Sequence, residues 1–333
     1  MVVMLKTGVD LKRDCWADSV CGFLIHIMVL GHILQRCDLR SSYLYYCCSL
    51  FGFFMPWFFF KAGFYFREKK VFDEVKSGFV RLLKPYLLFS ILGECVYLLI
   101  EGCKNGLTTD ELFVVPIKEF FAFGAPAGNM PLWFLLTLFV ARVLFQCLKK
   151  IRINDWTVVL VFYVLAIFFH YYSVDRPLLL GNLSMGMCCL VFGKIWRSVK
   201  KDNRLVIMCF VIYVFFVVIG CTNVGLRGND FVNNRIYPFW LVFAATSIIC
   251  INYLGERIGK LRWLTSYFGK IGRNSMDVYV WHWIFIVVSY YIFSLVTSNS
   301  WFLFLGIFSF TYLMSFVIVK SEITRIILFE KSK

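Results

Sequence analysis

Trp16-Ala17-Asp18-Ser19-Val20-Cys21-Gly22-Phe23-Leu24-Ile25-His26-Ile27-Met28-Val29-Leu30-Gly31-His32 is an apolar run with a carboxylate near its start and an imidazole at its end. The run suits a membrane-crossing helix, and ionisable groups inside such a helix are functional by default because lipid makes them costly. At ~100° per residue, the step from Asp18 to His32 is almost four whole turns, which puts both side chains on one face ~21 Å apart along the axis. His26 falls ~120° away from His32 on the same wheel and need not share that face. His32 is therefore the stronger candidate for chemistry. The plainer alternative leaves Asp18 at the water boundary and His32 as a cap at the far end.

Composition extends this reading to the whole chain. Of 333 residues, 60% are hydrophobic and only 17% charged, with 38 Phe, and the mean hydropathy is +0.74. Such a chain is not a soluble globule. Apolar runs mark ten spans: Trp16 to Gln35, Tyr43 to Phe66, Pro85 to Ile100, Leu132 to Leu148, Trp156 to Tyr172, Leu178 to Trp196, Leu205 to Asn223, Tyr237 to Leu254, Val278 to Val296 and Trp301 to Val319. The expected fold is an all-α polytopic membrane bundle of about ten transmembrane helices, with residues 1–333 forming one integral-membrane domain. The longest stretches outside the spans, Glu101 to Pro131 and Gly255 to Asp277, are too short for a soluble domain.

Basic residues alternate between the two sets of loops. One set holds Lys6, Lys12 and Arg13; Arg67, Lys69, Lys70, Lys76, Arg81 and Lys84; Lys149, Lys150 and Arg152; Arg197, Lys200, Lys201 and Arg204; and Arg257, Lys260, Arg262, Lys270 and Arg273. Retention of short basic loops makes this the cytoplasmic set, and an even number of spans puts both termini there too. The tail bases Lys320, Arg325, Lys331 and Lys333 agree. The net charge of +15 then reflects this bias and attraction to anionic membrane lipid, with no call for nucleic acid. The first helix lacks a small-residue cleavage site and is expected to persist. The thirteen cysteines form no metal-like C-x-x-C set, and neither a metal site nor a disulfide framework is expected.

Three further constellations carry chemistry. Arg81 and Lys84 stand three apart before the third span, and Lys61 lies more than a turn inside the cytoplasmic end of the second. Together they can hold the phosphates of an anionic cofactor, Arg by its planar fork and Lys as a compact charge. Snorkelling bases at an inner rim are the plain alternative, weakest for Lys61. In the outer segment, Leu112 to Phe123 suits an interfacial amphipathic helix, and the bend Gly124-Ala125-Pro126-Ala127-Gly128 follows. Such a flap can cover an acceptor site or simply anchor by its aromatics. Finally, Gly269 and Gly272 permit a tight approach before the ninth span, Asn274 or Ser275 can cap it with N–H groups turned toward a cytoplasmic anion, and His282 lies about two turns inside.

Taken together these segments resemble acyltransferase family 3, integral-membrane enzymes that move acyl groups, usually acetyl from acetyl-CoA, onto extracytoplasmic carbohydrate. Asp18-Ser19-Val20-Cys21-Gly22 through Gly31-His32 keeps the family's Asp, Gly, spacing and His, with Cys21 where a basic residue is expected. Phe54-Met55-Pro56-Trp57-Phe58-Phe59-Phe60-Lys61-Ala62-Gly63 resembles the family's Met-Pro-aromatic run, and Arg81-Leu82-Leu83-Lys84-Pro85 its basic pair. Leu132-Trp133-Phe134-Leu135 and the Gly269 to His282 segment complete the likeness.

The resemblance implies an O-acetyltransferase of the plasma (inner) membrane with a surface polysaccharide or its lipid-linked precursor as acceptor. It implies acetyl-CoA on Arg81, Lys84, Lys61 and the Asn274, Ser275 and His282 segment. His32 acts as general base or brief acyl carrier, either of which needs a neutral imidazole. Asp18, grouped with the catalytic residues, is too far along the helix to orient His32 and is assigned to holding inner-rim bases. A transporter or flippase for a glycan-linked or anionic solute would use the same groups as a pathway, and the change at Cys21 leaves open an inactive family member.

Overall fold

The structure is a computed structural model describing residues 15–172, 178–199, 202–222, 239–258, 261–321 and 323–328. The terminal bases Lys6, Lys12, Arg13, Lys331 and Lys333, and the loop bases Lys200, Lys201 and Lys260, lie outside the described residues. Among the described residues every regular element is helical.

The chain begins with α1 (Cys15–Arg36), followed by α2 (Tyr43–Ser49) and α3 (Phe54–Phe64). The second expected span is thus broken in the middle, at Leu50 to Phe53, and Ser42 caps the start of its first piece by accepting from the Tyr45 N–H. Next come α4 (Val71–Gly78), a π-helical turn (Phe79–Leu83) and α5 (Lys84–Asn105). Pro85 sits in the first turn of α5, where a missing N–H costs nothing. The outer segment forms α6 (Thr109–Phe123) and a 3-10 turn (Ala127–Leu132), which lead into α7 (Trp133–Lys150). After them come α8 (Asp155–Tyr171), α9 (Leu178–Trp196), α10 (Asn203–Val218) and α11 (Trp240–Ile258). The chain closes with α12 (Arg262–Arg273), α13 (Ser275–Ser294), α14 (Ser300–Ser321) and α15 (Ile323–Leu328).

An apolar helix stands at each of the ten places the sequence marks. Among the described residues seven helical stretches are long and apolar enough to cross a membrane, and Asp155–Tyr171, Leu180–Trp196 and Asn203–Val218 are shorter apolar helices. The protein is a helical integral-membrane bundle. α6 begins with a capping box between Thr108 and Glu111, ends at Gly124 with φ +73°, and buries none of its side chains. Leu112, Phe113, Ile117 and Phe121 all face away from the protein.

One expectation is corrected. Gly255 to Asp277 is not a plain loop: Arg262–Arg273 forms α12, which lies along α1. Gly272 meets α1 at the Asp18 carbonyl, Gly22 meets α12 at the Phe268 carbonyl, and Tyr267 reaches His26. The two helices therefore run in opposite senses with their backbones in contact. A Cβ on Gly22 or Gly272 would overlap a backbone oxygen, whereas one on Gly269 would meet only ordinary neighbours 3.6 Å away. Of the two glycines expected to allow a tight approach, Gly272 is the one that does.

Candidate active site: a histidine pair beneath a re-entrant strap

His32, on the last turns of α1, and His282, on α13, stack with ring centroids 5.5 Å apart and planes at 26°. The fold thus brings His282, which the sequence places in the segment expected to bind the donor, against His32. Its ring is fully buried. Nδ1 lies 2.6 Å from the Tyr279 carbonyl, which can only accept, so Nδ1 carries the proton between them. Nε2 is buried and has no hydrogen-bond partner among the described residues. His32 is half-buried, with the Trp283 ring edge-on at 5.4 Å.

The bend after α6 closes over this pair. Trp283 Nε1 donates to the Ala127 carbonyl at 3.4 Å, which ties the indole beside His32 to the bend. The Ala127 N–H donates to Glu119 at 2.7 Å and the Gly128 N–H to Glu94 at 3.0 Å. Gly128 also packs directly on the backbone of Gly93 in α5, an approach that a side chain at either position would block. Asn129, wholly buried, donates through Nδ2 to the Val280 carbonyl at 3.0 Å, next to the turn that carries His282. Tyr279 donates through its hydroxyl to the Pro131 carbonyl. The strap is thus fastened to α5, α6 and α13 around the two imidazoles. Sequence reasoning saw the bend but passed over Asn129, Glu94, Glu119 and Trp283. The available signal was a single amide between Gly128 and Met130-Pro131 in an apolar run.

Of the other candidates, Asp18 and Lys61 meet at the opposite end of α1. Asp18 is buried, and its carboxylate lies 3.9 Å from Lys61 Nζ on α3. Lys61 also stands 5.4 Å from the Trp57 ring centroid. Asp18 therefore lies against a lysine of α3. Arg81 is exposed in the π-helical turn, and the Lys84 amine donates to the Leu328 carbonyl at 2.6 Å. Asn274 precedes α13 without capping it: its amide donates back to the Lys270 carbonyl at 2.9 Å. Ser275 is the half-buried first residue of α13. His26 lies on another face, between Gly22 O at 2.8 Å and the Tyr267 hydroxyl at 3.3 Å. Cys21 is buried among apolar side chains.

A polytopic helical bundle of this kind, with two stacked imidazoles under a fastened strap at one end and paired charges at the other, is an integral-membrane protein. The family model for the acyltransferase domain of acyltransferase family 3 matches residues 16–320, and the chain belongs to that family. It is a membrane acyltransferase. No curated relative and no solved structure matches the chain.

Proposed function

We propose that this acyltransferase moves an acetyl group from cytoplasmic acetyl-CoA to a hydroxyl of a carbohydrate, either a surface polysaccharide or its lipid-linked precursor. The observation that carries the reading is the His32–His282 stack beneath the strap, at the opposite end of α1 from the Asp18–Lys61 pair. A charged donor head docks at the basic end and its thioester reaches the imidazoles. His32 takes the proton of the acceptor hydroxyl as that oxygen attacks the thioester carbonyl. The C–O bond forms, the C–S bond breaks, and the proton passes to the departing thiolate. His282 stacks on the His32 ring and helps to hold it in place. Transfer of labelled acetyl groups from acetyl-CoA into glycan of isolated membranes tests the reading. A transporter or flippase would move solute and leave the glycan unlabelled.

The topology belongs to the same proposal: ten crossings of the plasma membrane, with both termini on the cytoplasmic side. Reporter fusions after Arg273 and at the C-terminus are expected to report a cytoplasmic location. An external signal at either would move the donor to the wrong compartment and remove the model.

Arg81 and Lys84 are assigned to donor phosphates. Of the two, Arg81 gives the cleaner test because Lys84 also holds the carbonyl that ends α15. Arg81→Gln is expected to weaken coenzyme A binding by about 10-fold, the scale of one lost charge-assisted hydrogen bond, with thermal stability unchanged. Equal affinity in wild type and variant would leave Arg81 with a topological role alone.

A further inference from the structure

On the His26 face of α1, side chains of α1, α12, α13 and α14 enclose a groove of about 520 Å³. Ile25, Val29 and Val278 give it a buried apolar floor. Trp263 and Tyr267 of α12 and Phe316 of α14 also line it, and these three are largely exposed. The imidazole inside is already engaged: His26 Nδ1 lies 2.8 Å from the Gly22 carbonyl and Nε2 3.3 Å from the Tyr267 hydroxyl. Hydrocarbon beside this ring therefore strands neither nitrogen. Among the described residues Lys270 alone brings a fixed charge to the lining, and no carboxylate joins it.

The charge is at one end of the groove. Lys270 is exposed and stands between Phe268, whose carbonyl meets Gly22, and Gly272, which meets the Asp18 carbonyl. α13 leaves from this end and α14 packs back along it, so Val319 of the lining, followed by the exposed Lys320, returns to the same end. From the level of Lys270 the groove reaches Val29 about nine residues farther along α1, or ~13 Å by helix rise. The hydrocarbon of one leaflet is ~15 Å deep, half of a ~30 Å core. An apolar groove one leaflet deep, with bases and no acid at its mouth, matches an anionic amphiphile. We infer that it holds one acyl chain of an anionic phospholipid from the leaflet at the Asp18 end, with the phosphate on Lys270. A straight acyl chain fits that depth, whereas a polyprenyl chain is branched and far longer. The lipid would lie against both α12 and α14 beside His26, on a different face of α1 from His32.

The test is native mass spectrometry of the purified full-length protein in detergent, titrated with phosphatidylglycerol or with phosphatidylcholine of identical chains. Wild type is expected to retain one phosphatidylglycerol with about 10-fold preference over phosphatidylcholine, the scale of one charge-assisted contact. Lys270→Gln keeps the length of the side chain and removes its charge. It is expected to weaken phosphatidylglycerol binding by about 5- to 10-fold and to leave phosphatidylcholine binding unchanged. Ser266→Trp, at an exposed position of the lining, fills the groove and is expected to abolish saturable binding of both lipids, with thermal unfolding confirming that the variant is folded. Phosphatidylglycerol affinity equal to wild type in Lys270→Gln would overturn the site, as would equal retention of the two lipids by wild type. Displacement of phosphatidylglycerol by an equimolar polyprenyl phosphate would overturn the assignment to a phospholipid. The test uses no acyl donor, so its failure is separate from any failure of the proposed reaction.

Discussion

Replacing His32 with glutamine is expected to lower acetyl transfer by ~100- to 10,000-fold, the usual cost of losing a general base. Expression, membrane insertion and coenzyme A binding are expected to stay near wild type. The ring stands half-buried against His282 and Trp283 rather than packed in the core, so glutamine can occupy its place. His26→Gln serves as the control. That ring faces α12 and α14, among Tyr267, Phe268 and Tyr312, and it has no contact with the strap. Its loss is expected to cost far less. Labelled acetyl transfer in membranes carrying matched amounts of each protein gives the comparison. Wild-type transfer by His32→Gln would remove the mechanism, and equal loss in the two variants would show general damage to α1.

Gly272→Ala is expected to destabilise the protein by roughly 3 kcal/mol or more, at the upper end of overpacking effects. The new methyl group would overlap the Asp18 carbonyl, and backbone cannot move aside as a side-chain tip can. α1 would be pushed off α12, shifting the carboxylate that meets Lys61. Gly269→Ala, one turn earlier on the same helix, meets only the Ser19 hydroxyl and the Arg273 guanidinium at 3.6 Å and is expected to leave stability unchanged. Thermal unfolding of the two variants in detergent separates the effects. A stable Gly272→Ala protein would mean that the α1–α12 contact is looser than the backbone approach described above.

Apolar run length was enough to read the helical membrane class and the places of its helices, because lipid permits a spanning segment little other than a closed helix. Helical periodicity was likewise enough to separate the His26 face from the His32 face. Both are properties of a single helix, set by local spacing. The break at Leu50 to Phe53 and the π-helical turn at Phe79–Leu83 were not visible, since hydropathy does not record where a helix changes its hydrogen-bond step.

The partners of those faces depended on the tertiary structure. His32 and His282 are 250 positions apart, and nothing local says that α13 runs beside α1. The same holds for Asn129 beneath Val280 and for Asn252 turned to Trp57. A segment rich in Arg and Lys reads as a surface loop until its glycine is seen on the Asp18 carbonyl. By itself, then, the sequence determined the membrane class, the helices and their chemically distinct faces, because lipid acts on each segment separately. Only the packed bundle decided which faces meet, because helix pairing depends on close backbone approach and on buried polar groups finding partners far away in the chain.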